Sequence, residues 1–153
     1  MNDETIERAD RPECLDGFTR RIRVGCGSLY VTITMLDDGT PFEVFATLGK
    51  AGGCPAASVE AVARLVSDLF RCGVDINVPL KTLVGISCHR AMPGDPKSNP
   101  PLSCFDGIAQ TLLLFRDEFQ TRPVRQHEPH HFGVGSAPDG KKEGAQNGTD
   151  YSV

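Results

Sequence analysis

Leu29-Tyr30-Val31-Thr32-Ile33-Thr34-Met35, then Asp37-Asp38-Gly39-Thr40, then Phe42-Glu43-Val44-Phe45-Ala46-Thr47-Leu48: this stretch decides the fold. In its first part the apolar residues Leu29, Val31, Ile33 and Met35 alternate with Tyr30, Thr32 and Thr34, the two-residue period of a half-buried strand. The Asp-Asp-Gly-Thr segment supplies a turn whose glycine accepts positive φ, and a third strand over 42–48 follows it. Upstream, Ile22 and Val24 alternate with Arg21 and Arg23, so another strand precedes, with order beginning near Phe18. The expectation is a three-strand antiparallel meander.

Downstream the period changes. After Gly49-Lys50-Ala51-Gly52-Gly53-Cys54-Pro55, the residues Val59, Val62, Ala63, Val66, Leu69 and Phe70 recur at helical spacing, and Gly73 supplies a stop. Asp75 is expected to cap a shorter helix over Val78 to Val84, ended by Gly85. A loop rich in proline and polar residues runs from Ala91 to Pro101. Ser103 and Asp106 then form a capping-box-like start to a helix whose apolar stripe is Phe105, Ile108, Ala109, Leu112, Phe115 and Phe119. Strands followed by helices predict an α+β domain, with about three helices packed on one sheet face. Residues 18–119 form this domain, 1–17 are a flexible lead-in, and 120–153, rich in Pro, Gly, His and charge, are a tail expected to be disordered.

Composition narrows the function. At 153 residues with 6 cysteines, the chain fits one domain resting on an ordinary core rather than a disulfide scaffold. No apolar run approaches a membrane span and the acidic start Met1-Asn2-Asp3-Glu4 is unlike a secretory signal, so a cytoplasmic protein with reduced thiols is expected. A net charge of −4 gives no broad field for nucleic acid, and direct nucleic-acid binding is not expected. Arg20, Arg21 and Arg23 are one local basic stretch, read as a solvated strand face.

Four cysteines stand where turns meet regular elements: Cys26 in Gly25-Cys26-Gly27, Cys54 before Pro55, Cys88 in Ser87-Cys88-His89, and Cys104 after Ser103. A cysteine beside glycine or at a helix start is expected to expose its sulfur to nearby backbone amides, which favours the thiolate that metals require. Cys26, Cys54, Cys88 and Cys104 are therefore candidate ligands of one zinc ion joining four segments, although the gaps contain no CxxC pair and four separate thiols remain the alternative. His89 is an adjacent substitute donor, and Cys14 and Cys72 are read as non-ligands. The loop from Gly49 to Pro55 offers a second site, with Lys50, Gly52 and Gly53 as candidate phosphate or nucleotide contacts, but the full GxxxxGK[ST] pattern is absent. Glu128-Pro129-His130-His131-Phe132-Gly133 has a faint likeness to a cobalamin-binding DxHxxG element, but its surroundings argue against that assignment.

Gly25-Cys26-Gly27-Ser28-Leu29-Tyr30-Val31, Pro41 to Ala46, Leu48 to Cys54, Gly85-Ile86-Ser87-Cys88 and Ser103-Cys104-Phe105-Asp106 together resemble the successive motifs of the TSCPD domain family. Phe105 stands where the family's name motif has proline. The resemblance implies an association with adenosylcobalamin-dependent, class II ribonucleotide reductases and a metal-binding role. It also implies that cobalamin belongs to the associated reductase, since this chain is too small for the catalytic barrel. The expected function is thus a small metal-binding accessory module supporting deoxyribonucleotide synthesis through a reductase partner, without turnover of its own. Three alternatives stand beside it: a stand-alone thiol redox enzyme using Cys54 at a helix start, a nucleotide- or phosphate-binding protein using the loop from Gly49 to Pro55, and a zinc-stabilised adaptor for a partner protein; on any of these readings the chain can be a homo-oligomer.

Overall fold

The computed structural model describes residues 7–49, 53–94 and 99–119. Strands β1 (Asp16–Val24), β2 (Gly27–Met35) and β3 (Pro41–Gly49) form an antiparallel sheet in the order β1-β2-β3. Helices α1 (Cys54–Arg71), α2 (Asn77–Leu83) and α3 (Cys104–Phe119) follow. The α+β meander expected from the alternation is the fold, with β2 central because its neighbours in sequence pair on either side of it.

Alternation sorts the sheet into two faces. Ile22, Val24, Leu29, Val31, Ile33, Val44, Ala46 and Leu48 point to the helices and are buried. Thr19, Arg21, Arg23, Tyr30, Thr32, Phe45 and Thr47 lie on the opposite face by the same parity. Helix α1 runs beside β3, where the Ser67 hydroxyl accepts the Val44 N–H at 2.8 Å and lies 3.0 Å from the Val44 carbonyl. That contact satisfies the backbone of an otherwise open sheet edge. Helix α3 lies under β1 and β2, its Ile108, Leu112 and Phe115 filling the core. Gly107 permits this approach: a Cβ there would stand 2.9 Å from Leu29 Cδ2.

Several details differ from expectation, among them β3, which spans Pro41–Gly49 rather than 42–48. β1 begins at Asp16 rather than Phe18, two residues before the apolar alternation becomes visible. Arg20 sits on the helix side of β1, where its guanidinium donates to the Gln110 carbonyl at 3.1 Å, so the basic stretch is split between two faces. The short helix spans Asn77–Leu83 rather than Val78–Val84, because the Asp75 carboxylate accepts the Asn77 N–H at 2.8 Å and forms a turn just ahead of the helix. Residues 7–15 carry no helix or strand, yet they are tied to the body: Arg8 pairs with Asp68, the Ala9 N–H donates to the Arg71 carbonyl while the Ala9 carbonyl accepts from the Arg71 guanidinium, and Arg11 pairs with the buried Glu43. Among the described residues no helix is long and apolar enough to cross a membrane. The tail from residue 120, with its Glu128–Gly133 segment, lies outside the described residues.

Candidate metal centre at the hairpin end of the sheet

Gly25 and Cys26 form the two-residue link between β1 and β2, since Val24 pairs with Gly27. The strand pairing also puts Gly49, the last residue of β3, beside Ser28, so the chain enters the α1 segment from this same end of the sheet. Cys88 belongs to the segment after α2, where its N–H donates to the Leu102 carbonyl at 3.1 Å and its carbonyl accepts the Ala91 N–H at 3.0 Å. That small turn presses on the hairpin: a Cβ added to Gly25 would stand 1.6 Å from the Arg90 carbonyl oxygen. Cys104 opens α3 directly beneath. Three segments far apart in sequence therefore deliver Cys26, Cys88 and Cys104 to one place.

Their chemistry confirms the proximity. Burial pushes the Cys104 thiol up to about 11, and the neighbouring charge of Cys26, a hydrogen bond between the two sulfurs and the charge of Cys88 push in the same direction. This corrects the expectation that a helix-start cysteine has an exposed sulfur: Cys104 is buried because the first turns of α3 are tucked against Ile22, Val24 and Leu29. Cys26 and Cys88 are half-buried. Cys54 opens α1 and is exposed, with no part in the interactions that shift Cys104. Cys14 is exposed on the lead-in, and Cys72 follows the far end of the 18-residue α1, about 27 Å from Cys54. Among the described residues no group of three or more His, Cys, Asp or Glu side chains is placed to hold a metal ion, so Cys26, Cys88 and Cys104 are neighbours that do not form a ligand set as they stand. In metal-free protein the exposed Cys14 and Cys54 are expected to react with iodoacetamide first and the buried Cys104 last at neutral pH, since alkylation needs both access and thiolate. Peptide mass spectrometry across a time course reads the order, and early labelling of Cys104 would contradict the packing described.

The residue that organises these segments is Asp106, which the capping pattern anticipated only in part. The Ser103 hydroxyl accepts the Asp106 N–H at 3.2 Å, as an N-terminal cap does. The Asp106 carboxylate does not reach back to the Ser103 N–H. It accepts instead from Gly85 N–H at 2.8 Å, Leu102 N–H at 3.0 Å and Gln110 Nε2 at 3.1 Å. It thus fastens both ends of the segment carrying Cys88 to the helix carrying Cys104.

The other candidate sites fare differently. Lys50 and Gly52 lie outside the described residues, while Gly53 precedes α1 with φ 73° and makes no side-chain cap bond. His89 is exposed beside Cys88. A groove of about 520 Å³ between Arg8, β3 and α1 contains no cysteine, and its charges are paired, Arg8 with Asp68, Arg64 with Glu60, and Glu43 with Arg11 and Arg71.

Comparison with curated proteins and with solved structures gives no match. The TSCPD domain family model matches residues 4–115, which takes in the whole sheet, α1, α2 and most of α3 together with every cysteine discussed. The chain belongs to the TSCPD domain family.

Proposed function

We propose that this chain is a small accessory domain that holds a zinc ion through Cys26, Cys88 and Cys104, with Cys54 as the fourth thiolate, and that it supports an adenosylcobalamin-dependent ribonucleotide reductase. The observation that carries the metal reading is the convergence of three thiols from the β1–β2 turn, the segment after α2 and the start of α3. Soft thiolates suit zinc, and a cation offsets the burial and neighbouring charge that push the Cys104 thiol up. Cys54 is included as the fourth thiolate because it opens α1, the element that follows β3, whose last residue Gly49 lies beside Ser28 at this end of the sheet. The reductase reading rests on family membership together with the size of the domain, which is too small to contain a radical barrel.

Elemental analysis of reductively purified full chain tests the metal, with about one zinc per chain expected. Cys26→Ser, Cys88→Ser and Cys104→Ser are each expected to abolish stoichiometric zinc, and Cys54→Ser to weaken its retention against a chelator. Folded wild-type protein free of metal, or full zinc retention in the Cys88→Ser variant, would sink the site. For the accessory role, the chain is expected to raise turnover when added to an adenosylcobalamin-dependent reductase and to form no deoxyribonucleotide alone. Product formation by the pure chain with adenosylcobalamin, ribonucleotide and dithiol would overturn it.

A further inference from the structure

The sheet has a second face, and nothing in the metal reading uses it. Helix α3 packs under β1 and β2 on the other side, α2 packs on α3 and α1 runs along β3, so among the described residues no helix or strand covers the centre of this face. Its central rows, read from the strand pairing, are Arg23–Ser28–Gly49, Arg21–Tyr30–Thr47 and Thr19–Thr32–Phe45. Two aromatic rings stand on it in the open, Tyr30 at 39% and Phe45 at 47% exposure. Exposed rings on a flat strand face are an aggregation hazard unless they serve as contacts.

The geometry of the two rings is specific. Tyr30 opposes Thr47 and Phe45 opposes Thr32, so the two rings sit on adjacent strands two residues out of register, diagonal neighbours about 7 Å apart. That spacing suits successive bases of an extended single strand, each lying on one ring. The Tyr30 ring is held low: its Cε2 atom lies 3.3 Å from where a Gly49 Cβ would be, and the Arg21 guanidinium lies over the ring, 5.9 Å from its centroid, so a base stacking there moves the guanidinium aside toward the adjoining phosphate. Arg21 is fixed there by donating from Nε and Nη2 to Ser28 Oγ at 3.3 and 3.1 Å. Arg23 adds a second exposed cation one row along.

The exposed charges carried by the strands on this face, Arg21 and Arg23, are of one sign, while Glu60 and Asp68 of α1 line the groove beside Phe45 and are paired with Arg64 and Arg8. The face's single carboxylate by strand parity is Glu43, and that group is buried and paired with Arg11 and Arg71. The surface is thus two aromatic platforms flanked by two guanidinium groups and a row of hydroxyls, Thr19, Ser28, Thr32 and Thr47. The net charge of −4 is a sum over the whole chain and does not describe this face.

We propose that this open sheet face binds single-stranded nucleic acid, with two bases stacked on Tyr30 and Phe45 and the phosphates between them held by Arg21 and Arg23. Stacking on aromatic side chains tolerates any base, because every base has a π face, and guanidinium groups along the same track supply the anion contacts. A duplex, whose bases are already stacked inward, offers neither platform a partner.

Fluorescence anisotropy of end-labelled single-stranded DNA and RNA of one mixed sequence, titrated with full-length protein, is the test. Saturable binding is expected for both strands, with a matched duplex competing weakly. Tyr30→Ala and Phe45→Ala are each expected to weaken binding about tenfold, while Tyr30→Phe retains it. Arg21→Ala and Arg23→Ala are each expected to flatten the dependence of log K on log salt by about 0.7. All five substitutions are at exposed positions, and an unchanged thermal transition certifies the fold. Absence of saturable binding up to roughly 100 μM, the weak end of nonspecific affinity, would overturn the proposal. So would binding indifferent to loss of both rings, or sedimentation showing self-association that Phe45→Ala abolishes, which would give the face to a second copy of the chain.

Discussion

Asp106→Ala is expected to lower the stability of the domain by about 3 kcal/mol, read as a lower urea midpoint with an unchanged slope. Asp106 is buried, and its carboxylate is the acceptor for two backbone N–H groups and one side-chain amide. Alanine leaves the Gly85 and Leu102 N–H groups without that partner inside the protein, and each such orphan costs about 1–3 kcal/mol. The carboxylate also lies in the first turn of α3, where the helix dipole favours negative charge and removal forfeits a further fraction of a kcal/mol. Asp106→Asn keeps one acceptor oxygen but turns an N–H donor toward one of the two backbone donors, so about half of the loss is expected. Because Gly85 and Leu102 bracket the segment carrying Cys88, zinc retention should fall along with stability. An Asp106→Ala protein within 1 kcal/mol of wild type would show that these bonds are replaced by water at no cost.

The sheet was legible because its core is written in a strict two-residue alternation over Leu29, Val31, Ile33 and then Val44, Ala46, Leu48. The two long helices were legible for the matching reason, since Val59, Ala63, Val66 and Phe70 repeat on one face of α1 and Ile108, Leu112 and Phe115 on one face of α3. The start of β1 was hidden because Gly17 and Arg20 interrupt the apolar signal, although Arg20 faces the helices and uses its guanidinium on a carbonyl. Contacts of residues 8–11 were hidden too, as ion pairs and carbonyl bonds have no period. At the candidate site, the turn-and-helix-start context located the cysteines but could not give distances, because their gaps in sequence do not say which turns meet. The meeting depends on the 88–91 turn lying against the hairpin, and on Asp106 bonding to Gly85 and Leu102. The Ser103–Asp106 spacing was the available signal for that clamp, but a cap pattern names a helix start and not the remote N–H groups that its carboxylate collects.

The meeting of turns also singles out Gly25, the residue whose smallest change should do most to the site. A Cβ at this position would lie 1.6 Å from the Arg90 carbonyl oxygen and 2.7 Å from its carbon, and both are backbone atoms that cannot rotate aside as a side chain does. Gly25→Ala must therefore move the 88–91 turn away from the hairpin or distort the hairpin itself. Overpacking of this kind costs about 3 kcal/mol, and the gain from a stiffer unfolded chain, at most about 1 kcal/mol, does not offset it. The displacement separates Cys26, which adjoins Gly25, from Cys88, two residues before Arg90, so zinc should be lost although every cysteine remains. Gly94→Ala is the matched control, as a Cβ there meets nothing within 4 Å, and its stability should stay within about 0.5 kcal/mol of wild type. Urea midpoints and elemental analysis of the two variants decide the matter. A Gly25→Ala protein with wild-type stability and full zinc would mean that the hairpin and the 88–91 turn are not held together by the contact on which the three-cysteine site depends.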